Sequence, residues 1–448
     1  MSESAEAGVP LHTRILIGLG VGAGAGLIAN QVLGADHAAV AFINDYLAGP
    51  AGQIFLRLLF MIVVPLVFAS ISLGVAGLGD LRLVGRVGAK SLFAFLLSTA
   101  AASILGLLLV NVLRPGDAVD AALRADLMAT YAKDAGAKVE AAAKASLGMD
   151  TLVNLIPRNP VKAAADLDLL GVITFSLIFG AAITLLPTDR ARPMVQVLEA
   201  LGEITTKIVA MAMGLAPYGV AGLIFGVTSR FGFDVLAALA GYVFIVLFGL
   251  LFHAAVTLSL ALRLVIGVSP LRFFRATRSA LVTAFSTSSS NATLPTNLAV
   301  AELNLGLPPK IAGFVLPLGA TMNMNGTALF EGVTVLFLCQ VFGVELDIGQ
   351  TFIVMGMSVI TAVGAAGVPG GSIPLMVGLL ATFGVPGEGI AIILGVDRLL
   401  DMCRTTVNVY GDLVAATWVA QSEGAWTAAD IPASDPLDTA ARDESPTP

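Results

Sequence analysis

Apolar residues fall into six long runs across the first 270 positions, at roughly 15–33, 54–79, 91–113, 169–187, 194–227 and 235–267. At 1.5 Å per helical residue, runs of about 19 or more can cross a hydrocarbon layer about 30 Å thick. Beyond residue 270 the pattern changes. Four patches interrupt the apolar stretches: Ser286–Thr296, Thr321–Thr327, Gly364–Pro374 and Asp397–Asp412. Irregular backbone at membrane depth is tolerated only where protein buries it or where it lines a cavity. The pattern therefore predicts an all-α polytopic membrane protein whose first half is scaffold and whose second half carries a site.

Composition agrees: 57% of the residues are hydrophobic and 12% charged, where a soluble domain carries about 25% charge. The 48 glycines fit close helix packing in lipid, and with proline they mark broken helices. Arg82, Arg86 and Lys90 follow the second run, Arg190 and Arg192 the fourth, and Arg263, Arg272, Arg275 and Arg278 close the sixth. With the N-terminus inside, all three clusters face the cytoplasm. The 114–167 connection then lies outside; its Ala-rich stretch 118–146 is read as an exposed helix or irregular chain without assigned function. Residues 1–10 are read as a polar tail without a cleaved signal, and residues 422–448 as a disordered acidic tail. Cys339 and Cys403 sit in apolar segments, which gives no support for a disulfide framework. No basic run suits nucleic acid. His12, His37 and His253 are read as structural or interfacial.

The last apolar helix carries Asp397, Asp401, Arg404, Asn408 and Asp412. Offsets of 4, 7, 11 and 15 residues place all five within an arc of roughly 80°. Each charge costs on the order of 3 kcal/mol at a membrane helix centre, so the stripe must face protein. Counted along this face, one Arg stands against three Asp. The remaining negative charge calls for protons, bound cations or another cationic group. Arg404 either pairs internally with Asp401 or presents its planar fork to an anionic ligand. The hydroxyl-rich run Ser286–Pro295 suits a re-entrant hairpin tip that offers hydroxyls and N–H groups to an anion. Asn323-Met324-Asn325-Gly326-Thr327 suits an unwound turn in mid-span, and Gly364–Ser372 a second hairpin tip able to act as a lid. A channel would need a continuous polar path, which the interrupted hairpins argue against. An enzyme would need a nucleophile with its base or a metal cluster, and the serine run contains neither His nor Lys.

At these four patches the chain resembles the dicarboxylate/amino acid:cation symporter family, the glutamate-transporter family. The likeness extends to Met61–Phe68 and Asn154–Pro160. It implies eight transmembrane helices plus two re-entrant hairpins, a homotrimer in the bacterial inner membrane with both termini cytoplasmic, and an elevator mechanism. Residues 11–268 would be mainly scaffold, with the third and sixth helices joining the transport domain, and 269–421 the transport-domain core. By position, Arg404 would bind a side-chain carboxylate and Asp401 an ammonium. Asn408 and Thr327 would hold an α-carboxylate, helped by Ser290 and Val368 at the hairpin tips, with Met324 and Thr405 beside them. Asp412, Asn323 and the carbonyls of Gly319 and Asn408 would form one Na⁺ site. Thr321, with carbonyls near Ala362, Val363 and Ala365, would form a second. Ser98, Thr99, Asn323 and Asn325 fall where the family has a third. Na⁺ is the implied coupling ion, with H⁺ as the alternative, and no organic cofactor is implied.

Two departures bear on function. Asn325 replaces the family's usual carboxylate and weakens the attraction for a dehydrated cation. Relatives often carry a second Arg near the substrate Asp, but those positions here are Ser288 and Met402. An ammonium with two carboxylates best matches Asp401 beside Arg404, which favours aspartate or glutamate. C4-dicarboxylates and neutral amino acids are the alternatives within the family, and a substrate-independent anion conductance is the alternative of another class.

Overall fold

The computed structural model describes residues 11–35, 37–77, 86–119, 156–165, 169–365, 367, 370 and 372–432, and these are almost entirely helical. The principal helices are α1 (Leu11–Val32), α2 (Gly49–Phe60), α3 (Val63–Gly77), α4 (Arg86–Leu113), α5 (Leu169–Thr184), α6 (Thr188–Phe231) and α7 (Phe233–Phe252). They continue as α8 (Pro270–Thr287), α9 (Ser290–Ala299), α10 (Pro309–Met322), α11 (Asn325–Val341), α12 (Ile348–Gly364), α13 (Ile373–Thr382) and α14 (Ala391–Ser422). Six helical stretches among the described residues are long and apolar enough to cross a membrane.

The apolar runs and the helices agree in place but differ at their joints. The run 54–79 is two helices, α2 and α3, with a turn at Met61–Ile62. Pro65 lacks the N–H that would bond the carbonyl four residues back, so the chain restarts there. The run 194–227 is the middle of a 44-residue α6 that contains Pro193 and Pro217. After α7 the sixth run widens into two π-type turns, His253–Leu258 and Ala261–Ile266. Most of the 114–167 connection lies outside the described residues.

The second half breaks where the polar patches fall. α8 ends at Ser288, which has φ +51°, and Ser289 then caps α9 by accepting a hydrogen bond from Ala292 N–H at 3.1 Å. α9 packs back against α8. α10 and α11 are interrupted by non-helical Asn323 and Met324, and α11 is buried along its whole length. α14 is the central strut. It contacts α1, α4, α6, α7, α8, α9, α10 and α11, and nearly all of its length is buried.

The expectation of a disordered tail needs correcting for residues 423–432. Trp426 is buried and donates from Nε1 to the Leu305 carbonyl at 2.7 Å, and Ile431 is buried while its carbonyl accepts from Arg272 at 2.6 Å. Two large apolar side chains anchor a segment whose composition otherwise reads as polar. Residues 433–448 lie outside the described residues. Cys339 and Cys403 are both free, as expected.

Just beyond α14, Glu423 pairs with Arg86 and Lys90 at the start of α4, both at 2.6 Å. Hydrogen bonds from Arg86 and then Lys90 bring its carboxyl down from 4.5 to about 2. A depressed carboxyl stabilises the fold above its unfolded value and loses that contribution as pH falls through its folded value. Glu423→Gln is therefore expected to lower the thermal midpoint in detergent at pH 7. The gap to the parent should narrow as pH falls from about 4.5 towards 2. A gap independent of pH would show that the pairing does not stabilise the fold.

Candidate functional site

The stripe on α14 is buried along its length, with Asp397, Asp401, Arg404, Asn408 and Asp412 each under 5% exposed. Arg404 is committed within the protein. Its Nη1 donates to Asp397 Oδ1 at 2.8 Å and its Nε to Asp401 Oδ1 at 3.0 Å. The guanidinium carbon also sits 4.2 Å from the centre of the Phe330 ring on α11, a favourable cation–π distance. Of the two expectations for Arg404, the internal pairing with Asp401 is present, and Asp397 joins it. Nη2 touches Asp401 Oδ1 at 3.0 Å but has no hydrogen-bond partner among the described residues, and Arg404 lines the cavity described below. Asp397, whose place in the stripe had no defined role, fixes the outer end of this guanidinium.

The count of one Arg against three Asp is corrected here. Arg398 is buried, and its Nη1 lies 3.6 Å from Asp401 Oδ2. Asp397, Arg398, Asp401 and Arg404 therefore form a group of two carboxylates and two guanidiniums. The uncompensated charge on α14 is concentrated at Asp412. Arg398 thus adds a second cation to this group, from a position other than Ser288 or Met402. Arg398 lies about 100° from Asp397 around the helix, off the stripe as a direction from the axis. A signal was nonetheless present, since residues three apart on a helix are neighbours and Arg398 precedes Asp401 by three.

The helix break supplies the next layer. Asn408 Oδ1 accepts from Gly326 N–H at 2.7 Å, and its Nδ2 donates to Thr327 Oγ1 at 3.1 Å. One amide thus ties the first turn of α11 to α14. Asn323 Nδ2 donates to Asp412 Oδ1 at 2.9 Å, while its Oδ1 accepts from Ser98 on α4 at 2.9 Å. Asp412 Oδ2, Thr99 Oγ1 and Asn325 Nδ2 are buried without hydrogen-bond partners among the described residues. Asn325 spends its oxygen on Gly326 N–H at 2.8 Å. Two glycines make this crowding possible. A Cβ on Gly411 would lie 2.1 Å from Asn325 Nδ2, and one on Gly319 2.6 Å from Asp412 Oδ1. The free carboxylate oxygen of Asp412 and the hydroxyl of Thr99 are oxygens of the kind a small hard cation takes, whereas the amides of Asn323 and Asn325 spend their oxygens elsewhere.

The hairpin tips close over these groups. Ser289 Oγ donates to the Gly367 carbonyl at 2.6 Å, Asn291 N–H reaches the same oxygen at 3.2 Å, and Gly370 N–H donates to Asp401 Oδ2 at 3.0 Å. Beneath them lies a cavity of about 20 Å³, lined by residues that include Ser288, Ser290, Met324, Thr327, Ser372, Asp401, Arg404, Thr405 and Asn408. That volume is about one water molecule's worth, so any larger ligand must part the tips. Ala365 and Gly367 also line it, and Ala362 packs on Met324. Val363 is half-buried, whereas Thr321 is exposed and donates its hydroxyl to the Leu318 carbonyl. Val368 lies outside the described residues.

Glu331 is a further buried carboxyl that the reading of patches passed over. It lies on α11, fully buried, with Oε2 2.5 Å from Thr361 Oγ1 and Oε1 unpartnered among the described residues. An ionisable residue inside an apolar helix is a site candidate on that ground alone, and this was its signal in the sequence. His253 is buried, and neither ring nitrogen has a hydrogen-bond partner among the described residues.

Helix bundle, broken mid-span helix and buried charged cavity together define a polytopic membrane protein of the carrier type. The chain belongs to the sodium:dicarboxylate symporter family, whose family model matches residues 11–422. It is 37% identical over 377 residues to the proton/glutamate-aspartate symporter of Escherichia coli (strain K12), covering 84% of this chain and 85% of that one. It is 34% identical to the proton/sodium-glutamate symport protein of Bacillus subtilis (strain 168), covering 92% and 94%. It is also 32% identical to the C4-dicarboxylate transport protein of Bacillus subtilis (strain 168), covering 84% and 87%. The family is one of transporters rather than enzymes.

Gly319→Ala is expected to push Asp412 from its place and to lower unfolding stability by roughly 1–3 kcal/mol, as overpacking does. Thermal unfolding checks this. An unchanged midpoint would mean that the α10–α14 contact yields freely.

Proposed function

We propose that this protein is a secondary active symporter that imports aspartate or glutamate, driven by a cation gradient. The supporting observation is Arg404, held by Asp397 and Asp401 and lining a small polar cavity, with an Nη2 that has no hydrogen-bond partner among the described residues. A substrate carboxylate takes this donor in a charge-assisted hydrogen bond. The substrate ammonium takes Asp401, displacing Gly370 N–H from Oδ2. The second carboxylate lies against Thr327, Asn408 and Ser290, where hydroxyl and amide groups meet the end of the broken helix. A neutral amino acid would leave the Arg404 donor unsatisfied, which site discrimination punishes heavily. The names of the relatives from Escherichia coli and Bacillus subtilis support the same substrate class.

In this reading Na⁺ sits at Asp412 with Asn323 and the carbonyls of Gly319 and Asn408. A second ion sits near Thr321 and the carbonyls of Ala362, Val363 and Ala365. Asn325 weakens a third site by Ser98 and Thr99. A specific observation favours a proton alongside. Thr361 Oγ1 lies 2.7 Å from the Met357 carbonyl and 2.5 Å from Glu331 Oε2, yet a hydroxyl has one proton to give. If Met357 receives it, the proton between Thr361 and Glu331 belongs to the carboxyl, and Glu331 is the carrier of a coupled H⁺. The larger frame is the family's: eight membrane helices with two hairpins, a homotrimeric scaffold, an elevator movement of residues 269–421, and a bacterial inner membrane with both termini in the cytoplasm.

Uptake of labelled aspartate into proteoliposomes under imposed Na⁺ or H⁺ gradients tests the reading. Uptake should require a cation gradient, and Arg404→Cys should abolish it or shift preference to neutral amino acids. Acidic-substrate uptake undiminished in that variant would sink the assignment. Glu331→Gln is expected to remove the dependence on the H⁺ gradient while Na⁺-driven uptake persists; retention of the H⁺ dependence would reject the proton carrier. Asn325→Asp should raise the Na⁺ to substrate ratio read from the reversal potential, and an unchanged ratio would mean that the amide does not weaken the third site.

A further inference from the structure

Arg398 is buried beside the cavity but is not among the residues that line it. Its contact is unusual for a buried guanidinium: Nη1 stands 3.6 Å from Asp401 Oδ2, and neither Nη1 nor Nε has a hydrogen-bond partner among the described residues. Asp401 already accepts Arg404 Nε at Oδ1 and Gly370 N–H at Oδ2. Arg398 therefore gives this carboxylate charge without using its hydrogen-bonding capacity, and Oδ2 stays available on the cavity side.

We propose that Arg398 is a specificity-determining residue that acts through Asp401, supplying the positive charge that a ligand's ammonium would otherwise have to bring. The inference rests on the reading of the cavity as a site for small compounds with two carboxylates. Arg404 is shared between Asp397 and Asp401, so without Arg398 the group carries one net negative charge. An amino acid cancels that charge with its own ammonium. A C4-dicarboxylate has nothing to cancel it with, and its two carboxylates would face an unbalanced Asp401 in a low-dielectric pocket. With Arg398 in place the group is neutral, and a ligand lacking the ammonium is tolerated. A purely structural role for Arg398 would affect both kinds of ligand alike.

The test compares uptake of labelled aspartate and labelled succinate by the full-length protein in proteoliposomes, at one pH and under one cation gradient. The parent protein should carry both. Arg398→Gln should keep aspartate uptake within about threefold while succinate uptake falls about tenfold or more, a difference in the range that one unpaired polar partner produces. Arg398→Lys keeps the charge, and its aspartate to succinate ratio should stay near that of the parent even if Arg398→Gln does not fold. The double variant Arg398→Gln with Asp401→Asn removes both charges, and should regain succinate uptake while losing aspartate. Equal loss of both substrates in Arg398→Gln, or undiminished succinate uptake, would overturn the proposal. Aspartate uptake without any succinate uptake in the parent would also overturn it, leaving the proposed function intact. A parent that carries neither would instead remove the proposed function itself.

Discussion

Burying the Arg404 guanidinium is the demand around which the second half of this molecule is arranged. A guanidinium taken out of water is tolerated only with carboxylate partners and satisfied donors, and removing one partner from such a pair costs about 3–5 kcal/mol. Asp397 and Asp401 meet the demand from its own helix, two turns and one turn away, and the Phe330 ring lies over the guanidinium. The ring arrives because α11 begins again after the break at Asn323 and Met324 and is pinned to α14 by the Asn408 amide. Charge pairing on one helix thus dictates where a second helix is broken and how closely the two approach.

The same break makes two sites of different character from one strip of backbone. Towards Arg404, the start of α11 gives Thr327 to the cavity and its first N–H groups to Asn408. Towards Asp412, Asn323 bridges α4 and α14 and leaves a carboxylate oxygen free. The group Asp397–Arg398–Asp401–Arg404 is balanced by protein charges, whereas Asp412 has no such balance among the described residues. Need for a mobile cation is therefore confined to one end of the stripe. The Arg404 group and Asp412 are joined through the break, by Asn408 on one side and Asn323 on the other.

Much of this was legible from spacing. A 3.6-residue period put five polar residues on one buried face, and all five are buried together. The polar patch at residues 321–327 marked the break in mid-span, and the serine run marked the turn after α8. What escaped was what direction from a helix axis does not capture. Arg398 leaves the helix off the stripe, but an arginine arm is long enough to come round to Asp401. The turn at Met61–Ile62 lies within apolar residues and is signalled by Pro65 alone. Trp426 and Ile431 fix the start of a tail whose composition is that of disordered chain, because two anchors outweigh an average. The assignment of Val368 lies outside the described residues.

The contact of Ser289 and Asn291 with the Gly367 carbonyl has a thermodynamic corollary. In the proposed reading these bonds must break before a ligand larger than water enters, so the receptive form competes with the closed hydrogen-bonded one. Measured affinity is then the intrinsic affinity scaled by the fraction of molecules in that conformer. On that reading, loosening these bonds raises apparent affinity with no new contact to any ligand. On the same reading, ease of opening and strength of binding are set against each other by one carbonyl oxygen.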